Sequence, residues 1–347
     1  MLRARMIPRI EIAPGYSISR VIKGGWQLAG GHGQIEHEAA IADMARFVEA
    51  GITTFDCADI YTGVEALIGE FRARYPSLAA TTRVHTKFVP DLNALDRLTP
   101  AQVEAVIDRS LQRLRTERID LVQFHWWDFN VRGYVEAAQV LSALRAKGKI
   151  AHLGVTNFDV PHLAELLDAG VKLTSHQLQY SVLDARPENG SAQQCLARGI
   201  ALLCYGTVAG GFLSDRWLNQ PELPRTHENR SLVKYELIID EFGGWQLFQE
   251  LLAALRRIAD KHQCDIATVA SSAMLQRPGV AAVIVGATNH SHLAANTMIT
   301  GITLDAHDRA AIEAVTRRRQ GPPGDVYDLE RDRTGPHGRI MRYELSG

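Results

Sequence analysis

Thr53-Thr54-Phe55-Asp56-Cys57-Ala58-Asp59-Ile60-Tyr61 is a short, β-branched, apolar run that breaks into a loop bearing two carboxylates and a phenol. Ile52 and Phe55 among the threonines predict a buried strand ending at Asp56, and Gly63 opens the helical pattern that follows. A carboxylate at the end of a buried strand costs free energy unless a cation or hydrogen-bond donor meets it. Asp56 therefore needs a partner from elsewhere in the chain. Tyr61 stands close enough in sequence to share its site.

On both sides of this stretch, strand and helix patterns alternate. Val21–Trp26 predicts a first strand, followed by the glycine-rich loop 30–33 and an amphipathic helix from about Glu38 to Ala50. Ile52–Asp56, Arg83–Phe88, Ile119–His125, Ile150–Val155, Leu173–Leu178, Ile200–Tyr205 and Ala281–Val285 predict the remaining strands. Helices are expected at 64–75, at 100–114 with Thr99 as N-cap, and at 135–147, 161–169, 191–198, 245–262, 266–276 and 306–318, with another starting near Ser291. Several strands read as continuous apolar runs, as parallel strands buried on both faces should. Eight alternations favour a closed (β/α)8 TIM barrel with extra helices over an open doubly wound sheet. Gly24-Gly25 and Gly30-Gly31 with Gly33 do not fit the GxGxxG spacing of an open dinucleotide-binding sheet.

The expected organisation is a single barrel domain over 1–347, with an N-terminal segment at 1–20 and a Gly/Pro-rich, charged C-terminal tail at 320–347. Arg339–Tyr343 in that tail could form a short edge strand, and the tail could cover the barrel mouth, lie along the barrel wall or be partly disordered. The long connection 206–244 after the seventh strand could act as a lid, although its charged middle, 225–234, offers no clear ligand.

Charge narrows the function classes. Lys+Arg 38 against Asp+Glu 39 gives no electrostatic reason to expect nucleic acid or an anionic membrane as partner. Cys57, Cys195, Cys204 and Cys264 show no CxxC pair and read as free thiols of a reducing compartment. No apolar run matches a signal peptide or a membrane span, so a cytoplasmic enzyme is expected. Oligomeric state is not legible. His32 and His37 lack metal-ligand company, so no metal is expected.

Barrel enzymes draw catalytic side chains from the C-terminal ends of several strands. That rule selects Asp56, Tyr61, Lys87 and His125. Singly each has an ordinary explanation: Asp56 a helix cap, Lys87 a solvated strand end, His125 a core histidine. Together they compose an acid. A free tyrosine titrates near pH 10, and Lys87 could stabilise its phenolate while Asp56 anchors the lysine and His125 orients a substrate carbonyl oxygen. A barrel aldolase using Lys87 as Schiff base is less compatible, since a neighbouring carboxylate favours the charged amine.

The segments 54–61, His85-Thr86-Lys87-Phe88, 119–126 and Gly148-Lys149-Ile150-Ala151-His152-Leu153-Gly154-Val155-Thr156-Asn157-Phe158 resemble, in order and spacing, successive motifs of the aldo-keto reductases. The resemblance covers roughly residues 20 to 316 and implies a barrel that binds NAD or NADP without a Rossmann domain. It implies a catalytic tetrad at Asp56, Tyr61, Lys87 and His125, Thr156, Asn157 and Gln177 at the nicotinamide carboxamide, and Tyr205 stacked beneath the ring, followed by Gly206. The reaction implied interconverts a small aldehyde or ketone and its alcohol; a slow-turnover regulatory subunit on the same barrel is the alternative.

At the adenosine end the family pattern falls on Gly286, Thr288, His292 and Asn296, where basic residues for a 2'-phosphate are missing. NAD is therefore expected to serve at least as well as NADP. For substrate, Trp26 and Trp126 are the first candidates, with Trp127, Phe129 and Phe212 as further aromatic residues on strand-end loops.

Overall fold

The computed structural model describes residues 7–29, 36–222 and 229–343. The glycine-rich loop 30–33, with His32, and positions 225–228 of the long connection lie outside the described residues.

The chain begins with a hairpin that sequence periodicity did not reveal: β1 (Arg9–Ala13) pairs antiparallel with β2 (Tyr16–Ser19). Eight parallel strands follow: β3 (Val21–Gly24), β4 (Thr54–Asp56), β5 (Arg83–Phe88), β6 (Ile119–Phe124), β7 (Ile150–Thr156), β8 (Ser175–Gln179), β9 (Ala201–Tyr205) and β10 (Val280–Gly286). They pair in sequence order, and β10 closes the ring by pairing with both β9 and β3. This is the expected (β/α)8 barrel.

Its interior is layered by chemistry. Tyr16 and Ile18 of the hairpin pack with Ile22, Leu121, Leu203 and Ala282 from four strands, forming an apolar plug. Tyr16 also stacks on His152 at 4.1 Å and bonds His85 Nε2 through its hydroxyl at 3.0 Å. Nearer the strands' C-terminal ends the interior turns polar, with Asp56, Lys87, Gln123 and Gln177 all buried. Polar groups taken out of water must find one another, and that requirement builds the site.

The outer layer follows helical periodicity. The helix His37–Glu49 buries Ile41, Met44, Phe47 and Val48 against the barrel, each contributing about 1.5–3 kcal/mol by leaving water. The helix Pro100–Arg113 starts with the predicted Thr99 cap, completed by Gln102 as a capping box. Among the described residues no helix is long and apolar enough to cross a membrane.

Two segments differ from expectation. The 206–244 connection contains a helix, Arg230–Phe242, whose Tyr235, Ile238, Ile239 and Phe242 are buried. Its apolar spacing is interrupted by charges, which masked it. The tail forms no edge strand; it carries one-turn helices at Asp328–Arg331 and Pro336–Arg339, and Leu92 N–H donates to the Tyr343 carbonyl at 2.9 Å.

Candidate active site

Asp56 ends β4, and its carboxylate is held from three other strands. Lys87 Nζ lies 2.7 Å from Oδ2, while Gln123 Nε2 and Gln177 Nε2 donate to Oδ1 at 2.9 and 2.6 Å. Lys87 also donates to the Cys57 carbonyl at 2.8 Å, which fixes the ammonium where β4 runs into its loop. Strand register brings this about, since Asp56 pairs with His85, two residues before Lys87, and Lys87 pairs with Gln123. Burial pulls the Lys87 ammonium down, but Asp56 and Tyr61 more than offset it and the net displacement is upward. A lysine held so firmly in its charged form is unsuited to Schiff-base chemistry.

Tyr61 places its ring centroid 5.0 Å from Lys87 Nζ. Its acidity differs from the expectation. Burial raises the phenol's pKa, Lys87 lowers it and Asp56 raises it again, so the net displacement is upward. The neighbouring Asp59 accepts from the N–H groups of Ile60 and Val89 and pins the loop to the end of β5. Burial pushes its carboxyl up to about 8.

His125 follows β6. Its Nδ1 lies 3.2 Å from the Thr156 carbonyl, which can only accept, so in this bond Nδ1 carries the proton. Burial, aided by the charges of Arg331 and Lys87, lowers the ring's pKa to about 3 and keeps it neutral. Nε2 is buried without a partner. In this tautomer it offers a lone pair to a substrate hydroxyl; the opposite tautomer, which donates to a carbonyl oxygen, gives up the Thr156 bond.

The walls come partly from residues that sequence reasoning did not select. Trp26 sits edge-on to Tyr61 at 5.1 Å and is 41% exposed, with its indole N–H on Ser231 Oγ at 3.2 Å. Trp126 does not line a mouth: it is fully buried against Phe124 and Tyr134, and its N–H is satisfied by the Asp128 and Val131 carbonyls. Phe212 likewise packs with Trp217 and Phe248, away from the tetrad. Trp127 meets His125 edge-on at 4.4 Å, and Tyr327 of the tail does so at 5.4 Å.

A buried charge cluster ties that tail down. Glu330, fully buried, is 2.8 Å from Arg186 and 3.1 Å from Lys234 of the Arg230–Phe242 helix, while Arg186 is 2.7 Å from Asp184. Lys234 Nζ in turn lies 5.5 Å from the Tyr205 ring centroid and 5.4 Å from that of Tyr327. The Arg230–Phe242 helix and the tail thus meet beside Tyr205. The one available signal was composition: a tail containing Tyr327, Glu330, Arg331 and Tyr343 carries side chains suited to docking.

Of the expected cofactor residues, Thr156 and Asn157 lie at the end of β7, Gln177 within β8, Tyr205 and Gly206 at the end of β9 and Gly286 at the end of β10, with Thr288 and His292 following and Asn296 on the helix Leu293–Met298. Tyr205 donates through its hydroxyl to Asn157 Oδ1 at 2.9 Å, and Asn157 adopts a left-handed φ of 59°. The Thr156 carbonyl is taken by His125, and the Gln177 amide nitrogen is committed to Asp56. Gly206, at φ 74°, is backed by Tyr235, whose hydroxyl would lie 2.5 Å from any Cβ there, so only glycine fits. Gly286, Thr288 and His292 are exposed, whereas Asn296 is buried and its Nδ2 has no partner. An orphaned buried amide is what a ligand edge such as adenine would satisfy, so the residues present fit a dinucleotide.

Beside this loop a cavity of about 370 Å³ is lined by Asp43, Arg46, Asn289, His290 and Ser291 among others. Arg46 is the basic residue that the loop itself lacks. It is paired with Asp43 at 3.2 Å, and Asp43 also holds His290 at 2.7 Å.

Two relatives and one solved structure resemble the chain over more than half of its length. The NADH-specific methylglyoxal reductase of Escherichia coli (strain K12) is 25% identical over 325 residues, covering 87% of this chain and 97% of that protein. The 6-dehydroglucose reductase of Novosphingobium aromaticivorans is 34% identical over 220 residues, covering 58% and 68%. In fold, the glycerol dehydrogenase AKR11B4 from Gluconobacter oxydans superposes with a TM-score of 0.75 at 22% identity, covering 92% of this chain and 96% of that one. Residues 20–317 match the Aldo/keto reductase family, whose members use NAD(P)H, and the chain belongs to that family.

Proposed function

We propose that this protein interconverts an aldehyde or ketone and the corresponding alcohol, with Tyr61 as general acid in reduction and general base in oxidation. The observation that carries this reading is the Lys87 ammonium, clamped between Asp56 and the Cys57 carbonyl and facing the Tyr61 ring inside a buried site. When bound, the nicotinamide supplies or takes up the hydride. Negative charge that develops on the substrate oxygen is neutralised by the Tyr61 proton, and Lys87 stabilises the phenolate left behind. In reduction His125 would donate to the same oxygen from Nε2 in the tautomer that gives up the Thr156 bond, in oxidation the Nδ1-protonated ring would accept from the substrate hydroxyl, and Trp26 and Trp127 wall the site.

Thr156, Asn157 and Tyr205 would hold the nicotinamide end, with Gln177 acting mainly through Asp56. Gly206, Gly286, Thr288, His292 and Asn296 would hold the remainder. A phosphate brought to Arg46 also meets the Asp43 carboxylate, which supports use of NAD at least as readily as NADP. The NADH-specific methylglyoxal reductase among the relatives is consistent with that preference.

The test is reduction of a panel of small aldehydes, sugars and quinones with NADH and NADPH, by wild type and by Tyr61→Phe. Expected are turnover with NADH and a loss of about two to four orders of magnitude in kcat for Tyr61→Phe. Undiminished turnover by Tyr61→Phe overturns the assignment, and a hundredfold preference for NADPH overturns the cofactor reading.

A further inference from the structure

Among the described residues, the charged groups named around the mouth pair off, with one exception. Lys87 is matched by Asp56, Arg186 by Asp184, and Lys234 by Glu330. Arg331, one residue beyond Glu330, has no carboxylate oxygen within 4.0 Å among the described residues. The acids nearest to it are engaged elsewhere or act at longer range. Asp159 accepts from the backbone and ring of His162, Asp328 accepts from Asp325 N–H, and Glu330 is held by Arg186 and Lys234.

The guanidinium is nevertheless firmly positioned. Nη2 donates to the carbonyls of Asn157 at 2.5 Å and Trp126 at 3.3 Å, and Nη1 donates to Val326 at 3.3 Å. Its plane lies 4.2 Å from the Phe129 ring centroid and 5.3 Å from that of Tyr327, the ring that meets His125. Trp126 and Asn157 directly follow His125 and Thr156, so the cation stands beside the residue that faces the reacting oxygen.

Two obligatory donors here lack acceptors: Arg331 Nε–H and Trp127 Nε1–H are both buried without partners, as is His125 Nε2. Tyr327 and Tyr343 of the tail cover this group, so admitting a substrate to His125 brings it to the same donors. A desolvated guanidinium without a counter-ion, next to unused N–H donors, favours an anionic oxygen ligand.

We propose that Arg331, with Trp127 beside it, binds a carboxylate carried by the carbonyl substrate, so that the preferred substrates are oxo acids rather than neutral aldehydes. This rests on the carbonyl-reductase reading above. Arg331 touches the substrate's carboxylate and not its reacting atoms, so it sets specificity while Tyr61 carries the proton.

The experiment compares kcat/KM for ω-oxo acids of two to five carbons with that for their methyl esters, using the full-length protein with NADH. Wild type is expected to prefer at least one acid over its ester by about tenfold or more, the scale of a hydrogen bond to a charged group. In Arg331→Met the acid-to-ester ratio should fall at least tenfold, and in Arg331→Lys, which keeps the charge, it should fall less. A ratio near one in wild type overturns the proposal whether or not the variants fold. An acid preference that survives in folded Arg331→Met also overturns it, leaving Arg331 as a strut. If neutral aldehydes are reduced in a Tyr61-dependent way without charge preference, this inference alone fails. If no carbonyl compound is reduced at all, the reductase reading fails with it.

Discussion

Replacing Lys87 with methionine keeps most of the side chain's length and removes its charge, which isolates what the ammonium does. At 5.0 Å from the Tyr61 ring, the ammonium stabilises a phenolate by about 3 kcal/mol at an effective dielectric of about 20. That is about two pKa units, or roughly two orders of magnitude in proton transfer if the proton has fully moved in the transition state. Asp56 would remain beside the phenol with only the Gln123 and Gln177 amides for company, so the loss should reach or exceed that figure. Breaking a buried pair from one side should also destabilise the fold by about 3–5 kcal/mol. The double variant Lys87→Met with Asp56→Asn removes both charges. It should recover much of the stability, seen as urea midpoint, without recovering kcat/KM at pH 7. A folded Lys87→Met that retains more than a tenth of wild-type kcat/KM would refute the electrostatic reasoning.

Glu330→Gln should loosen the tail more than the barrel, because Arg186 keeps Asp184 while Lys234 loses its carboxylate. Limited proteolysis read by mass spectrometry should show faster cleavage within 320–343, and protection equal to wild type would count against the clamp. Stability should also fall with acid. Burial lowers His85 to about 4 and His125 and His176 to about 3, so all three stay neutral in the fold yet would take up protons near pH 6.5 when unfolded. Stability is then lost as pH falls from about 6.5 towards 4. Asp59, pushed up to about 8, opposes this by holding a proton in the fold that the unfolded chain releases above about 4. The net of about two protons corresponds to about 3 kcal/mol per pH unit, and urea midpoints that do not move between pH 7 and pH 5 would contradict it.

The barrel was legible because parallel strands buried on both faces leave largely apolar runs, and β6 and β7 begin where those runs begin, at Ile119 and Ile150. That Asp56, Lys87 and Tyr61 would share one site could be read for a related reason: charged residues at the ends of apolar strands are conspicuous. The hairpin β1–β2 was not, since Arg9, Glu11 and Ser17 on its outer side interrupt a pattern only four or five residues long. Trp126 and Trp127 show the limit most directly. Adjacent loop residues of one type end up as packing and as site wall, and what separates them is whether the indole N–H finds a carbonyl. Covering the mouth was only one of several placements the sequence left open for the tail, because its docking depends on Arg186 and Lys234, residues 144 and 96 positions away from Glu330.

The raised pKa of Tyr61 does not disable it as an acid. A proton donor in carbonyl reduction must be more acidic than the alcohol it forms, whose hydroxyl is about as weak an acid as water. A phenol lifted by burial still satisfies that condition. Being neutral and protonated at rest is also the state required for reduction at neutral pH. What Lys87 changes is the other end of the step, when the phenolate has formed and the ammonium has a full charge to meet. The same burial that raises the resting phenol makes that late attraction stronger than it would be in water. On the proposed mechanism the closed cover of Tyr327, Lys234 and Glu330 would belong to the chemistry too: opening it would lower the phenol's pKa while weakening the interaction that stabilises the phenolate.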